Sequence, residues 1–139
     1  MESQSKSARF QFKGYRIIKS FIEINEAVNN EDFEIIFEPS GKVFNSSSIF
    51  QLYLGVEIKN LTKTINIEIK AVADFYFEQI EDDKLEAYLF VNAPALLFPY
   101  LRAYISTLST LSGLKSVTLP TLNLIGLRSE LKKKTEFLD

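Results

Sequence analysis

Residues 92–127 read NAPALLFPYLRAYISTLSTLSGLKSVTLPTLNLIGL, and this stretch decides the fold that we expect. Its apolar residues recur at three- and four-residue intervals, which predicts a long helix with one buried stripe. We place Pro99 in the first turn of this helix, where its missing N–H is harmless, and Gly113 at its end. A loop over residues 114–123 then leads to a last helix, predicted over residues 123–136. The stripe of the long helix comprises Leu97, Leu101, Tyr104, Ile105, Leu108 and Leu111, and that of the last helix Leu124, Ile125, Leu127 and Leu131.

The chain before residue 80 alternates apolar and polar side chains, the pattern of half-buried strands. The clearest run covers residues 50–59, and a hairpin turn at residues 60–63 separates it from a second run that starts at Ile65. A run over residues 10–24 predicts another strand with a bulge at Gly14. The remaining strand starts at Phe33 and is expected to end in a turn at Pro39-Ser40-Gly41. Short connections between such strands favour antiparallel pairing.

These elements predict an α+β fold in a single domain over residues 1–139, with residues 1–8 disordered. A four-stranded antiparallel sheet packs with a short helix, the long helix and the C-terminal helix. The short helix is expected over residues 81–91, because its acidic first turn suits the helix dipole. The Asn92-Ala93-Pro94 run is then expected to reset the direction of the chain.

Composition argues against most kinds of catalysis and several kinds of partner. The chain has no His and no Cys, which excludes a Ser-His-Asp triad, thiol chemistry and most zinc sites. It has no glycine-rich phosphate loop and no carboxylate cluster with calcium-loop spacing, so we expect no enzyme activity, no cofactor and no metal. The net charge of −2 predicts no nucleic-acid partner, and the lack of a long apolar run predicts no membrane insertion. Cysteine usage is typical of a cytoplasmic location.

The chain is rich in flat apolar side chains, with 12 Phe and 6 Tyr but no Trp. We expect part of this area to remain near the surface, where apolar area usually serves association. Both faces of the last strand become apolar beyond Ala71, through Val72, Phe75, Tyr76 and Phe77. This end of the strand is either core or a surface for subunits or ligands, and the pattern alone leaves both readings open.

The segment LLFPYLRAYIS, the following Gly113 and the later Pro120-Thr121-Leu122-Asn123-Leu124 run together resemble the SecB family of bacterial protein-export chaperones. The family has a Phe-Pro-Tyr-Ala-Arg helix start and a Pro-x-Asn-Phe lead into its last helix. Here an extra residue follows Pro120, and Leu124 replaces the Phe. The resemblance implies an ATP-independent holdase, a tetramer built as a dimer of dimers, that binds unfolded polypeptide in apolar grooves and passes export clients to SecA.

Site residues follow from the resemblance by position. It implies contact with the SecA translocase at Glu23 and Glu68 and an assembly role for the long helix at Tyr100, Tyr104 and Leu108. The last helix would form the movable wall of the groove. The polypeptide-binding residues expected are Ile35, Phe37, Ile65, Phe75, Phe77, Leu122, Leu124, Leu127 and Leu131.

Two departures from the family leave the partner open. An Asp of the SecA contact corresponds here to Lys19 or Ser20, and an apolar neighbour of Glu68 corresponds to Asn66. SecB-like proteins also include chaperones dedicated to the antitoxin of a toxin–antitoxin module, which is the first alternative. A small module that binds a hydrophobic ligand is the second alternative.

Overall fold

A computed structural model describes residues 9–26, 32–78, 80–115, 117, 119 and 124–139, with the backbone alone for residues 124 and 125. Strands fill the first half of the chain and helices most of the second. The elements are β1 (Arg9–Ile24), β2 (Phe33–Phe44), β3 (Ile49–Asn60), β4 (Ile65–Glu78), α1 (Asp82–Ala87), a π-helical turn (Tyr88–Asn92), α2 (Ala93–Leu111), α3 (Leu124–Lys133) and β5 (Thr135–Leu138).

The strands form one sheet in the order β1-β4-β3-β2-β5. The first four pair antiparallel as predicted, and the α+β class is confirmed. The sheet has five strands rather than four, because β5 pairs parallel with residues 41–44 of β2. The last helix therefore ends at Lys133, not at residue 136. Thr135 ends it by donating its hydroxyl to the Leu131 carbonyl at 2.6 Å, and Gly41 N–H then donates to the Lys134 carbonyl at 3.2 Å.

One face of the sheet, here called the inner face, packs under α2 and α3. Period-two alternation places every second residue of β3 and β4 on it, and these side chains are fully buried. Cross-strand pairing aligns the side chains in rows, for example Ile35, Ile58, Ile67 and Ile22. The opposite, outer face carries the polar members of each strand, as the alternation in β3 and β4 predicts.

The turn expected at residues 39–41 does not form, since β2 runs straight through it to Phe44. The chain turns instead at residues 45–48, where Ser48 N–H donates to the Asn45 carbonyl at 3.3 Å. Pro39 is tolerated because β2 lies near the edge of the sheet, where a missing N–H need not break a ladder. Gly41 is in the strand for a packing reason, because its missing side chain leaves room for Phe50.

The helical region is continuous from Asp82 to Leu111, so the expected change of direction at residues 92–94 is wrong. Ala93 N–H donates to the Tyr88 carbonyl five residues back, which widens one turn just before Pro94. A proline cannot close the usual bond to the fourth preceding carbonyl, and a π turn accommodates that loss. Pro99 lies inside α2 rather than in its first turn, on the exposed side.

The apolar stripe of α2 is confirmed for Leu97, Leu101 and Ile105, which are fully buried. Leu111, also predicted on that stripe, is 81% exposed, because it is the last helical residue and lies beyond the edge of the packed face. Gly113 follows with φ of 93° and ends the helix as predicted. The bulge predicted at Gly14 is present, and β1 has a second bulge between Ile17 and Lys19.

Candidate functional site

The free part of the β2 edge is the first candidate site. On one side β2 pairs with β3 along its whole length, whereas on the other side β5 covers residues 41–44 only. Among the described residues, no strand pairs with residues 33–40 on the side that points away from β3. Exposed edge backbone of this kind can accept an added strand.

Apolar side chains accompany this free backbone on the inner face. Phe33, Ile35 and Phe37 alternate along it and are half-buried against the core. The ring of Phe37 meets the ring of Phe98 on α2 edge-on, with centroids 6.0 Å apart. We call this segment, residues 33–40 with its inner-face side chains, the β2 groove edge. It combines partly accessible apolar area with a backbone edge, on the side away from β3, that pairs with no strand in the described structure.

Other residues predicted to bind polypeptide are buried. Ile65, Phe75 and Leu131 are almost completely shielded from solvent, and Phe77 and Leu127 are nearly so. Phe75 stacks with Phe10 and Phe12 at centroid distances of 5.2 and 5.3 Å, and its ring is tilted against that of Phe50 at 6.1 Å. Residues 65 and 75 lie ten positions apart on β4, which corresponds to about 33 Å along an extended strand. The predicted binding residues therefore fall at two ends of the sheet rather than in one place.

The connection between α2 and α3 is only partly described. Leu122 and the side chain of Leu124 lie outside the described residues. Val117 and Leu119 are buried, although the sequence places them in a loop. The buried hydroxyl of Ser109 accepts the Val117 N–H at 2.9 Å and donates to the Ser106 carbonyl at 3.0 Å, so it fixes the loop to α2. Farther along, Lys132 of α3 pairs with Glu86 of α1 at 3.1 Å.

The residues predicted for assembly lie where α2 crosses β1. Tyr100 is 46% exposed, and its ring lies 5.0 Å from that of Tyr15 and 5.6 Å from that of Phe12. Tyr104 and Leu108 are half-buried, and the Tyr104 hydroxyl donates to Ser20 Oγ at 2.8 Å. β1 pairs with β4 alone in the described sheet, so its other edge is open beside this aromatic patch. Tyr15 and Phe12 are members of the patch that sequence reasoning missed, because the position at which α2 crosses β1 cannot be read from the pattern of either element.

The two residues predicted to contact the translocase lie on the outer face. Glu23 on β1 is opposite Asn66 on β4, and Glu68 is two residues farther along β4. Lys19 occupies the outer face beside Glu68, with Nζ 2.8 Å from the carboxylate, whereas Ser20 faces inward. The hydrogen bond from Lys19 lowers the pKa of Glu68 below its ordinary 4.5. One of the two predicted carboxylates is thus already paired within the chain.

The described residues hold no cluster of three potential metal ligands. In the same part of the chain, no helix combines the length and apolar character needed to cross a membrane.

Comparison with known proteins decides the family. Residues 26–134 match the family described as preprotein translocase subunit SecB. The chain belongs to the SecB family. The match covers β2 to α3, which includes the β2 groove edge and the helices α2 and α3.

A solved SecB-like structure has a similar fold. It is described as the Mycobacterium tuberculosis Rv1957 SecB-like chaperone in complex with a ChAD peptide from the Rv1956 HigA1 antitoxin. It superimposes with a TM-score of 0.70 and 20% identity, over 83% of this chain and 88% of that one. The fold predicted from the resemblance to SecB is therefore confirmed.

A sequence relative comes from an archaeon. The uncharacterized protein MJ0357 of Methanocaldococcus jannaschii is 36% identical over 63 residues. The aligned part is 44% of this chain and 41% of the relative, so the chain spans about two-fifths of that protein's length.

Proposed function

We propose that this SecB family member is an ATP-independent chaperone that holds non-native polypeptide at the β2 groove edge. This proposal rests on half-buried Ile35 and Phe37, which lie on one strand whose edge away from β3 pairs with no other strand in the described structure. An unfolded chain offers scattered apolar side chains and unpaired backbone, and the β2 groove edge complements both. Family membership supports the same function.

The energetics suit promiscuous holding. Each apolar side chain that a client buries contributes about 1.5–3 kcal/mol, and edge pairing adds backbone hydrogen bonds without reading sequence. One edge of eight residues would bind weakly alone. Copies of the same edge on several subunits raise the effective affinity, because a long client can occupy them together.

We propose that α3 is the movable wall of this groove. Leu127 and Leu131 are buried residues of α3 itself, and Leu122 and Leu124 precede them in the sequence. Clients would reach these residues only when α3 lifts, and Ile65, Phe75 and Phe77 only when the core itself opens. First contacts are therefore assigned to Ile35 and Phe37.

Assembly is proposed to use the aromatic patch of Phe12, Tyr15 and Tyr100 together with the open edge of β1. Exposed rings beside an open strand edge are a surface that a second copy can cover. Tyr104 and Leu108 continue the same face of α2. This arrangement supports the dimer of dimers that the family implies.

The second candidate is a chaperone dedicated to one antitoxin. It is favoured by the solved SecB-like structure of similar fold, which is in complex with an antitoxin peptide. The Lys19–Glu68 pair also favours it over delivery to SecA, since it neutralises one of the two expected acidic contacts. Glu23 and Glu68 remain the proposed contacts should the translocase be a partner.

The function is tested by suppression of aggregation. A chemically unfolded client is diluted into buffer with and without the protein, in the absence of nucleotide, and turbidity is followed. The proposal expects suppression that saturates at a fixed ratio of protein to client. Protection of one antitoxin alone supports the second candidate. Protection of no polypeptide, with a fatty acid found by native mass spectrometry, supports a small-ligand module instead.

A further inference from the structure

A cavity of about 380 Å³ opens on the outer face of the sheet, on the side away from α2 and α3. It lies on the face opposite the apolar side chains of the β2 groove edge, although Glu38 of that segment lines it, and it is separate from the aromatic patch of β1 and α2. Its lining includes Ile18, Glu38, Tyr53, Gly55, Lys70 and Lys134. We call it the Gly55 slot.

The slot exists because Gly55 interrupts a row of outer-face side chains. Cross-strand pairing aligns Glu38, Gly55 and Lys70 on β2, β3 and β4. Two strand spacings separate Glu38 from Lys70, roughly 9–10 Å, and Gly55 lies buried between them at the floor of the slot. A Cβ at residue 55 would lie 3.6 Å from the nearest atom, an ordinary contact distance, so packing does not force a glycine here.

Apolar walls bound the slot on two sides. The bulge between Ile17 and Lys19 turns Ile18 outward, where it is 51% exposed despite its aliphatic side chain. Tyr53 offers a half-buried ring on the other side, and the Lys42 ammonium lies 5.7 Å from the centre of that ring. An aromatic side chain placed over Gly55 would contact both walls.

Lys70 is the cation that the slot offers to a ligand. Glu68 and Asp74, the nearest outer-face carboxylates of β4, are paired with Lys19 at 2.8 Å and Arg16 at 3.4 Å. Lys70, by contrast, forms no ion pair within the part of the chain that the structure describes. Lys134 also lines the slot, although it shares Glu130 at 2.9 Å. Lys134 is thus already neutralised, and among the described lining residues Lys70 remains the cation without an ion pair, opposite the carboxylate of Glu38.

We propose that the Gly55 slot docks an acidic segment of a partner protein, seating an aromatic side chain over Gly55 and a neighbouring carboxylate on Lys70. A carboxylate would give Lys70 the charge-assisted hydrogen bond that it lacks. Apolar walls beside one cation without an ion pair suit a short acidic-aromatic peptide. They do not suit nucleic acid, which needs a broad positive field that a chain of net charge −2 does not provide.

The test uses three labelled pentapeptides: Ser-Glu-Phe-Glu-Ser, Ser-Lys-Phe-Lys-Ser and Ser-Glu-Ala-Glu-Ser. Binding is followed by fluorescence anisotropy, and amide NMR shifts report the site. The first peptide is expected to bind best and to shift the amides of Gly55 and Lys70. Lys70→Glu and Gly55→Leu should each weaken it about tenfold or more, the loss expected for a charge-assisted contact or a filled pocket. Lys13→Glu is the matched control, with the same charge change on exposed β1, and should leave affinity unchanged.

Gly55→Ala, which partly fills the slot at ordinary contact distance, covers the case in which the leucine variant fails to fold. The proposal is overturned if the acidic-aromatic peptide does not bind at millimolar concentration, if the three peptides bind alike, or if Lys70→Glu behaves as Lys13→Glu does. A change in the oligomeric mass of Lys70→Glu would instead assign the slot to a second copy of the chain. Client holding should be unaffected by Lys70→Glu, so the result is independent of the proposed function.

Discussion

Gly41 on β2 lies directly against the ring of Phe50 on β3, where an added Cβ would be 2.7 Å from Phe50 Cε1. The ring cannot easily retreat, because it is fully buried and packs against Phe75 and Phe90. The same added Cβ would be 3.0 Å from Thr135 Oγ1, so Gly41 also lets β5 approach the sheet. This contact explains why a residue typical of turns lies in mid-strand.

Gly41→Ala is therefore expected to destabilise the protein by about 1–3 kcal/mol, the usual cost of overpacking a filled core. Urea unfolding at fixed protomer concentration measures the change. Gly55→Ala is the control, because its nearest contact would be 3.6 Å, and the free energy of unfolding should change by less than about 0.5 kcal/mol. Equal losses in the two variants would contradict this account of Gly41.

Ser109 should be needed to hold the connection between α2 and α3. Ser109→Ala removes the acceptor of the buried Val117 N–H, and an unsatisfied buried donor costs about 1–3 kcal/mol. Hydrogen exchange at residue 117 should accelerate at the same time. Thr110→Ala is the control, because the Thr110 hydroxyl donates to the Ser106 carbonyl from an exposed position. If Ser109→Ala leaves both stability and exchange unchanged, the loop is fixed by other contacts.

Phe37 and Ile36 are adjacent on β2, and their side chains lie on opposite faces of the sheet. Substitutions at the two positions therefore make a matched pair for a test of client binding. Phe37 lies in the β2 groove edge, whereas Ile36 is 44% exposed on the outer face. Phe37→Ser should raise the amount of protein needed to suppress client aggregation several-fold, since loss of one apolar contact is worth about 1.5–3 kcal/mol. Ile36→Ser should have little effect. The reverse result would move client binding to the outer face.

Serine substitutions at Ile65 and Leu127, the other expected client contacts, are less informative. Both side chains are buried, so a polar replacement weakens the fold itself. A loss of client holding in those variants would have to be separated from partial unfolding. Ile35→Ser is the better second variant, because Ile35 is half-buried on the same strand as Phe37.

The Lys19–Glu68 pair predicts a specific dependence on pH. Its hydrogen bond lowers the pKa of Glu68 below 4.5 in the folded state, so the pair stabilises the fold above pH 4.5 and that stabilisation is lost as pH falls through the lower folded value. Lys19→Met should reduce the free energy of unfolding at pH 7 by about 0.2–1 kcal/mol, the range for exposed pairs. The difference from the parent should disappear in acid.

Carbon-13 NMR of the Glu68 carboxyl checks the cause directly, since its pKa should return toward 4.5 in Lys19→Met. A pKa for Glu68 that is the same in both proteins would show that Lys19 does not hold it. Lys13→Met is the control for removal of a β1 lysine.

Sequence periodicity was sufficient for β3, β4 and the buried stripe of α2, because each buries one regular face. It failed where a single residue serves tertiary packing rather than local geometry. Gly41 and Pro39 are typical of a turn but lie in an edge strand, and Pro99 lies inside a helix whose exposed side tolerates it. β5 was missed because four residues are too few to establish a period.

The candidate sites were predictable to a lesser degree. Ile35 and Phe37 could be placed by resemblance to SecB and by alternation. Phe75 lies far from Ile35 and Phe37 because β4 is 14 residues long. The apolar positions in the sequence do not by themselves give this distance. The Gly55 slot depends on a row of residues on three strands and on a bulge that turns Ile18 outward. Cross-strand register of this kind cannot be read from one sequence.

Light scattering with an unfolded client tests the central claim most directly. The protein is measured alone and with a reduced, carboxymethylated polypeptide that cannot refold, without nucleotide. We predict an oligomer that shifts to the summed mass of oligomer and client, and a weaker shift for Phe37→Ser. A monomer whose mass is unchanged by the client at any ratio would contradict the account.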